Sequence, residues 1–194
     1  MTGMGRGKHA VWHAQVRAIG TEDWLAAWLT EAGSLTARLT AHCREFRVQR
    51  LHQHRARCFA DEATVLGLPR ARHAWEREVL LRCDGLPVVF AHTVVPLSCT
   101  ATDWPLFKAL GERSLGTTLF NDPAVERGRL HFARIRPSHP LYQRAQQALG
   151  GVVLPAQLVA RRSLFRRKQG VLLVTELFLP ALAALAQTRM GHES

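Results

Sequence analysis

Three side chains stand where the surrounding chain is too apolar for them. Glu176 lies in VLLVTELFLP, residues 171 to 180, a run with the reach of a buried strand. Arg77 and His92 belong to WEREVLLRCDGLPVVFAHTVVP, in which two β-rich runs flank Asp84-Gly85. A guanidinium or carboxylate buried without a partner is costly, so each must be paired or hold a ligand. Arginine offers a planar fork that grips a carboxylate through two parallel hydrogen bonds. Glutamate can hold a hydroxyl or move a proton. Together they describe a closed, mostly apolar pocket with a few convergent polar groups, suited to a small, anionic, ring-shaped ligand. The bland alternative is a structural salt bridge between two hairpins.

These residues must be positioned by the hairpins. A two-residue Asp-Gly turn sets Cys83 opposite Leu86. It then pairs Trp75 with Val94, Arg77 with His92, Val79 with Phe90 and Leu81 with Val88, and opposed side chains share a face. In this register Arg77 and His92 face the core together, while Glu76, Glu78, Ala91 and Thr93 fall on a wetter face. The second hairpin, QLVARRSLFRRKQGVLLVTELFLP, turns at Lys168-Gln169 or at Gln169-Gly170. The first places Arg161 opposite Glu176 and the second Ser163, and parity keeps Arg161, Ser163 and Phe165 on the Glu176 face in both.

Around the hairpins, TEDWLAAWLTEAG reads as a helix with Thr21 as cap and Gly33 as stop. SLTARLTAHC starts another at Ser34, which leaves the backbone N–H groups of Leu35 and Thr36 free at a helix N-terminus. EFRVQRLH, RARCFADEATV and ERGRLHFARIRP read as strands. TATDWPLFKALGERSLGTTLF has helical spacing, with Thr102 as cap, a break near Gly111 and a second turn from Ser114. HPLYQRAQQALG reads as a helix closed by Gly150.

At 194 residues and 47% hydrophobic, the chain has room for one domain with a substantial core. The expected organisation is a flexible basic N-terminal arm over 1–20, a domain over 21–187 and a C-terminal tail over 188–194. No apolar run reaches the roughly 18 residues of a membrane span, and MTGMGRGKHAVWHAQ lacks the apolar stretch of a signal peptide, so a cytoplasmic protein is expected. Cys43, Cys58, Cys83 and Cys99 have neither CxxC spacing nor nearby histidine pairs, so no metal site and no disulfide are expected. The formal charge of +11 suits either nucleic acid or a small anionic substrate drawn into a positive cleft. Lys8, Lys108 and Lys168 are the only lysines and the arginines are scattered. With a single tyrosine, little is offered for base stacking.

WEREVLLRCDGLPVVFAHTVVP, LGERSLGTTLF and ARRSLFRRKQGVLLVTELFLPA resemble the corresponding segments of the chorismate lyases, the bacterial chorismate–pyruvate lyases of ubiquinone biosynthesis. The likeness runs in order from Trp24 to Ala181 and is densest in these three segments. It implies a single-domain α+β fold, with an antiparallel sheet of about six strands flanked by helices and a buried site closed by helical flaps. The implied reaction converts chorismate to 4-hydroxybenzoate and pyruvate as the first step of that pathway, without cofactor. By position, Arg77 resembles the arginine that grips the ring carboxylate and Glu176 the carboxylate that accepts the 4-hydroxyl. Leu35 and Leu115 match positions that bind the carboxylate and the hydroxyl end through backbone N–H. The best-known members have Met at Leu35, Gly at Ala91 and Arg at His92, so His92 and Arg161 are auxiliary candidates. A monomer without nucleic acid is expected.

Two other classes compete with the lyase. One is a non-catalytic sensor of hydroxybenzoate-like molecules built on the same fold, and the other is a nucleic-acid-binding module.

Overall fold

The computed structural model describes residues 9–69 and 72–190. Asp84 and Gly85 both take positive φ, 49° and 81°, as the tight turn expected between two twisted strands requires. The turn joins β2 (His73–Cys83) to β3 (Leu86–Pro96). Beside it, β1 (Phe46–Arg57) pairs with β2. The other half of the sheet is β4 (Val125–Ile135), β5 (Leu158–Arg167) and β6 (Gly170–Phe178). Pairing of β3 with β6 joins the halves into one six-stranded antiparallel sheet of order β1-β2-β3-β6-β5-β4. The fold is therefore α+β, with helices on both faces of the sheet.

One face is covered by α1 (Asp23–Leu29), α2 (Leu35–Thr40), α4 (Leu115–Asn121) and α6 (Leu182–Met190). Its core includes Trp28, Leu29, Leu39, Val79, Leu81, Val89 and Phe178. The opposite face carries α3 (Ala60–Val65) and α5 (Pro140–Ala148). Leu80, Phe90, Ala160 and Leu177 pack there against Leu141, Tyr142 and Ala145 of α5. Ser34 and Ser114 cap α2 and α4 by accepting the N–H groups of Ala37 and Thr117, each contact contributing about 1 kcal/mol.

Several expectations are corrected. RARCFADEATV is not a second strand: β1 runs on to Arg57, and the chain then turns into α3, where Glu62 accepts the Phe59 N–H. Thr21 does not cap α1, which starts after Glu22 and ends at Leu29, short of Gly33. The helix expected from Thr102 is reduced, ahead of the break near Gly111, to one 3-10 turn at Pro105–Phe107, opened by a proline that cannot donate within a longer helix. The first eight residues of the expected arm, and residues 191–194 of the expected tail, lie outside the described residues. Within residues 9–20, His13 and Phe132 exchange backbone hydrogen bonds at 2.8 Å and Ile19 is buried in the core.

The largest correction concerns register. Arg82 pairs with Pro87, but Leu81 pairs with Val89, so Val88 is an extra residue and every later pair slips by one. The bulge lies beside Pro87, which has no N–H for the ladder. Arg77 consequently faces Thr93 rather than His92, and His92 faces Glu78. Glu76 and Glu78 are buried rather than wet, each 3% exposed. In the second hairpin the turn is Lys168-Gln169, which puts Arg161 opposite Glu176.

Candidate active site

A cavity, open to solvent at its mouth, lies between the sheet and the N-termini of α2 and α4. Val48, Val79, Leu81, Ala91, Leu119 and Phe165 supply apolar wall, while Arg77, Arg127, Arg161 and Glu176 supply charge. This is the composition of a small-molecule site, mostly apolar with few polar groups.

Arg77 is 2% exposed, and no acidic side chain pairs with it among the described residues. Its Nη2 donates to the carbonyls of Gly111 and Arg113 at 3.1 and 3.0 Å, in the loop ahead of α4. Its Nε is buried without a partner. Burial, and secondarily Arg50, push the guanidinium down to about 10, so it remains cationic at neutral pH. Among the described residues Arg77 forms no ion pair with the second hairpin, and a buried cation with an unpaired donor is what an anion site would require.

Glu176 stands on β6 two strands away from Arg77 and two residues along, about 10 Å across the sheet and about 7 Å down it. Its Oε2 accepts Arg161 Nε at 2.5 Å. Arg161, 1% exposed, also donates through Nη1 to the carbonyls of Trp28, Leu29 and Glu31. It thus serves the free carbonyls at the C-terminal end of α1 and holds Glu176 in place.

Arg127 of β4 completes the cluster and was missed by the sequence reading. Its Nη1 donates to the carbonyls of Glu31, Ala32 and Gly33, and its Nε to Ser163 Oγ at 3.3 Å. No carboxylate forms an ion pair with it among the described residues. Burial, then the neighbouring Arg161, lower its pKa, while Glu176 and Glu31 act the other way. A bulge between Arg127 and Leu130 sets the orientation of this stretch, beside Gly128, where an added Cβ would lie 2.9 Å from the Leu164 carbonyl oxygen. Nothing local to ERGRLHFARIRP marks Arg127 from its neighbours.

Leu35 and Leu115 are the first residues of α2 and α4, and both line the cavity. Their serine caps take later N–H groups, so the Leu35 and Leu115 amides have no partner among the described residues. The helices meet across a Thr36 Oγ1 to Ser114 Oγ hydrogen bond of 2.7 Å.

A model described as chorismate lyase matches residues 8–188. The chain belongs to the chorismate lyase family. It is 51% identical over 168 residues to a "Probable chorismate pyruvate-lyase" of Ralstonia nicotianae, covering 86% of each chain. A protein of the same name from Nitrosomonas europaea is 43% identical over 175 residues, covering 90% of this chain and 96% of the relative. Among solved structures, a GntR-family transcriptional regulator from Bacillus cereus superposes with a TM-score of 0.52 at 15% identity, covering 70% of this chain and 92% of that one. At that identity the likeness concerns the fold alone.

Within this chorismate lyase fold, His92 is not part of the cavity. It lies on the opposite face, 1% exposed, with Nδ1 2.9 Å from Glu78 Oε1 and Nε2 3.0 Å from Glu62 Oε1. The Glu62 contact is poorly aligned for a hydrogen bond, so it acts through charge. Both carboxylates overcome burial and raise the imidazole to about 10. Arg162 is also on that face, 3.5 Å from Asp61 and stacked over Trp12. Neither lines the cavity, where Arg127 and the auxiliary candidate Arg161 are the cations beside Arg77.

Proposed function

We propose that the chain eliminates pyruvate from chorismate to leave 4-hydroxybenzoate, with Arg77 and the Leu35 N–H holding the ring carboxylate. Glu176 and the Leu115 N–H orient the hydroxyl. The observation that carries this reading is the buried, carboxylate-free Arg77 set across an apolar cavity from the Glu176–Arg161 pair. A ring with a carboxylate and a hydroxyl at opposite ends matches the order of these charges along the cavity.

The chemistry asks for position more than for reactive groups. The ether C–O bond at ring C3 breaks, the hydrogen on C4 leaves as a proton, and the enolpyruvyl methylene gains one to become pyruvate. The ring becomes aromatic, so the reaction runs downhill. The protein's part is to orient the ring, exclude water and stabilise the departing enolpyruvate. Glu176, neutralised by Arg161 at 2.5 Å, is suited to accept the hydroxyl's hydrogen bond. The enolpyruvyl group is held through its ether oxygen on the carbon beside the hydroxyl, which brings its carboxylate toward Arg127, the cavity cation close to Glu176 that lacks an acidic partner among the described residues.

The test is chorismate with purified protein in metal-free buffer, following 4-hydroxybenzoate and pyruvate by chromatography. Equal appearance of both products is expected. Absence of both, with 4-hydroxybenzoate still raising the melting temperature, would leave a binding protein and overturn the lyase reading.

A further inference from the structure

On the sheet face away from the cavity, His52 and His54 stand two residues apart on edge strand β1. They share that face only because a bulge between Arg50 and His52 shifts the register. Their rings lie 4.3 Å apart, and both turn Nε2 toward Glu76 of β2, at 3.1 Å from His52 and 3.4 Å from His54 to the same oxygen, Oε1. The three ligating atoms all lie within 4.8 Å of one another. Around a tetrahedral ion with bonds of about 2.0–2.1 Å, ligating atoms are separated by roughly 3.3 Å. Both histidine-to-carboxylate distances already match that spacing.

Hydrogen bonding alone explains this arrangement poorly. Arg144 Nη1 also reaches Glu76 Oε1, at 2.8 Å, so one oxygen faces three nitrogens. An ion between the imidazoles and the carboxylate would relieve that crowding, and Arg144 would keep its 2.6 Å contact with Glu78. Charge favours a cation as well, since the carboxylates Asp61, Glu62, Glu76 and Glu78 on this face outnumber the cations Arg144, Arg162 and His92 that act on them.

We infer that His52, His54 and Glu76 form a divalent transition-metal site, of a chemistry that favours Zn²⁺, clamping edge strand β1 to β2. Two imidazoles and a carboxylate are a borderline N₂O set suited to zinc rather than to magnesium or calcium. His54 is 53% exposed, which leaves the fourth position open to water. The expectation of no metal site weighed cysteine spacings. The histidines meet Glu76 only through strand pairing.

The experiment is calorimetric titration of untagged, EDTA-stripped full-length chain with ZnCl₂, beside His54→Asn and His52→Asn. Wild type should take up one Zn²⁺ per chain, and each variant should bind at least about 100-fold more weakly while keeping its metal-free melting temperature. Co²⁺ should give d–d bands without a thiolate-to-cobalt charge-transfer band, which separates this site from the four free cysteines. Unchanged affinity in both variants, a thiolate band, or no binding by wild type would overturn the inference.

Discussion

Replacing His92 by glutamine should destabilise the fold strongly without touching the cavity. In the folded chain His92 is held protonated by Glu62 of α3 and Glu78 of β2, with Arg144 of α5 on the same Glu78 oxygen and the Phe59 ring stacked 5.5 Å away. The rise from 6.5 to about 10 corresponds to roughly 5 kcal/mol at about 1.4 kcal/mol per pH unit. The two carboxylates share that energy with the imidazole, so it counts once. Removing one partner of a buried ion pair typically costs about 3–5 kcal/mol, and a loss in that range is expected near pH 7. Because the folded state binds this proton more tightly than the unfolded chain, the stabilisation is fully present below about 6.5 and is lost as pH rises toward about 10. Urea unfolding of wild type and His92→Gln, in EDTA, between pH 6 and about 10 measures both effects. The difference between the curves isolates His92 from other groups titrating in this range. It should shrink steadily with pH. Equal stabilities near neutrality, or a constant difference across the series, would refute the argument that His92 is a buried cation.

Four further outcomes concern the cavity. Arg77→Gln should cut kcat/KM by about 100-fold or more and leave the fold intact, because no buried carboxylate is stranded; circular dichroism beside the assay separates the two effects. Glu176→Gln should keep kcat within about tenfold, since glutamine still accepts the hydroxyl, whereas a drop of about 10²–10⁴ would make Glu176 the proton acceptor; melting should fall as Arg161 loses its partner. Arg127→Gln should weaken kcat/KM for chorismate by about tenfold or more and leave 4-hydroxybenzoate affinity unchanged, because the product lacks the second carboxylate. Gly116→Ala places a Cβ 2.9 Å from Thr36 Oγ1 and 3.2 Å from Ser34 Oγ, disturbing the Thr36–Ser114 bond between the helices over the site. Stopped-flow release of 4-hydroxybenzoate should quicken about 5–10-fold, the equivalent of one hydrogen bond.

What the sequence by itself determined is local. The Asp84-Gly85 turn, the serine caps at Ser34 and Ser114, the helix before Gly150 and the strand around Glu176 follow from interactions within a few residues, and each stands where the chain's own chemistry puts it. Arg77 and Glu176 stood out as candidates because a charge in an apolar strand must be answered by something, and both line one cavity. Parity also kept Arg161 on the Glu176 face, although only the realised turn at Lys168-Gln169 sets the two side by side.

Tertiary structure decided the partners. Bulges in β1, between β2 and β3, and in β4 each shift a strand by one residue, and with a period of two this exchanges faces. One such shift removed His92 from the Arg77 face and buried it between Glu62 and Glu78. Another brought His52 and His54 to Glu76, and the bulge in β4 sets the strand that carries Arg127. A bulge depends on packing and ladder bonds across strands, as where the Gly128 backbone closes on Leu164, so the strand's own residues do not announce it.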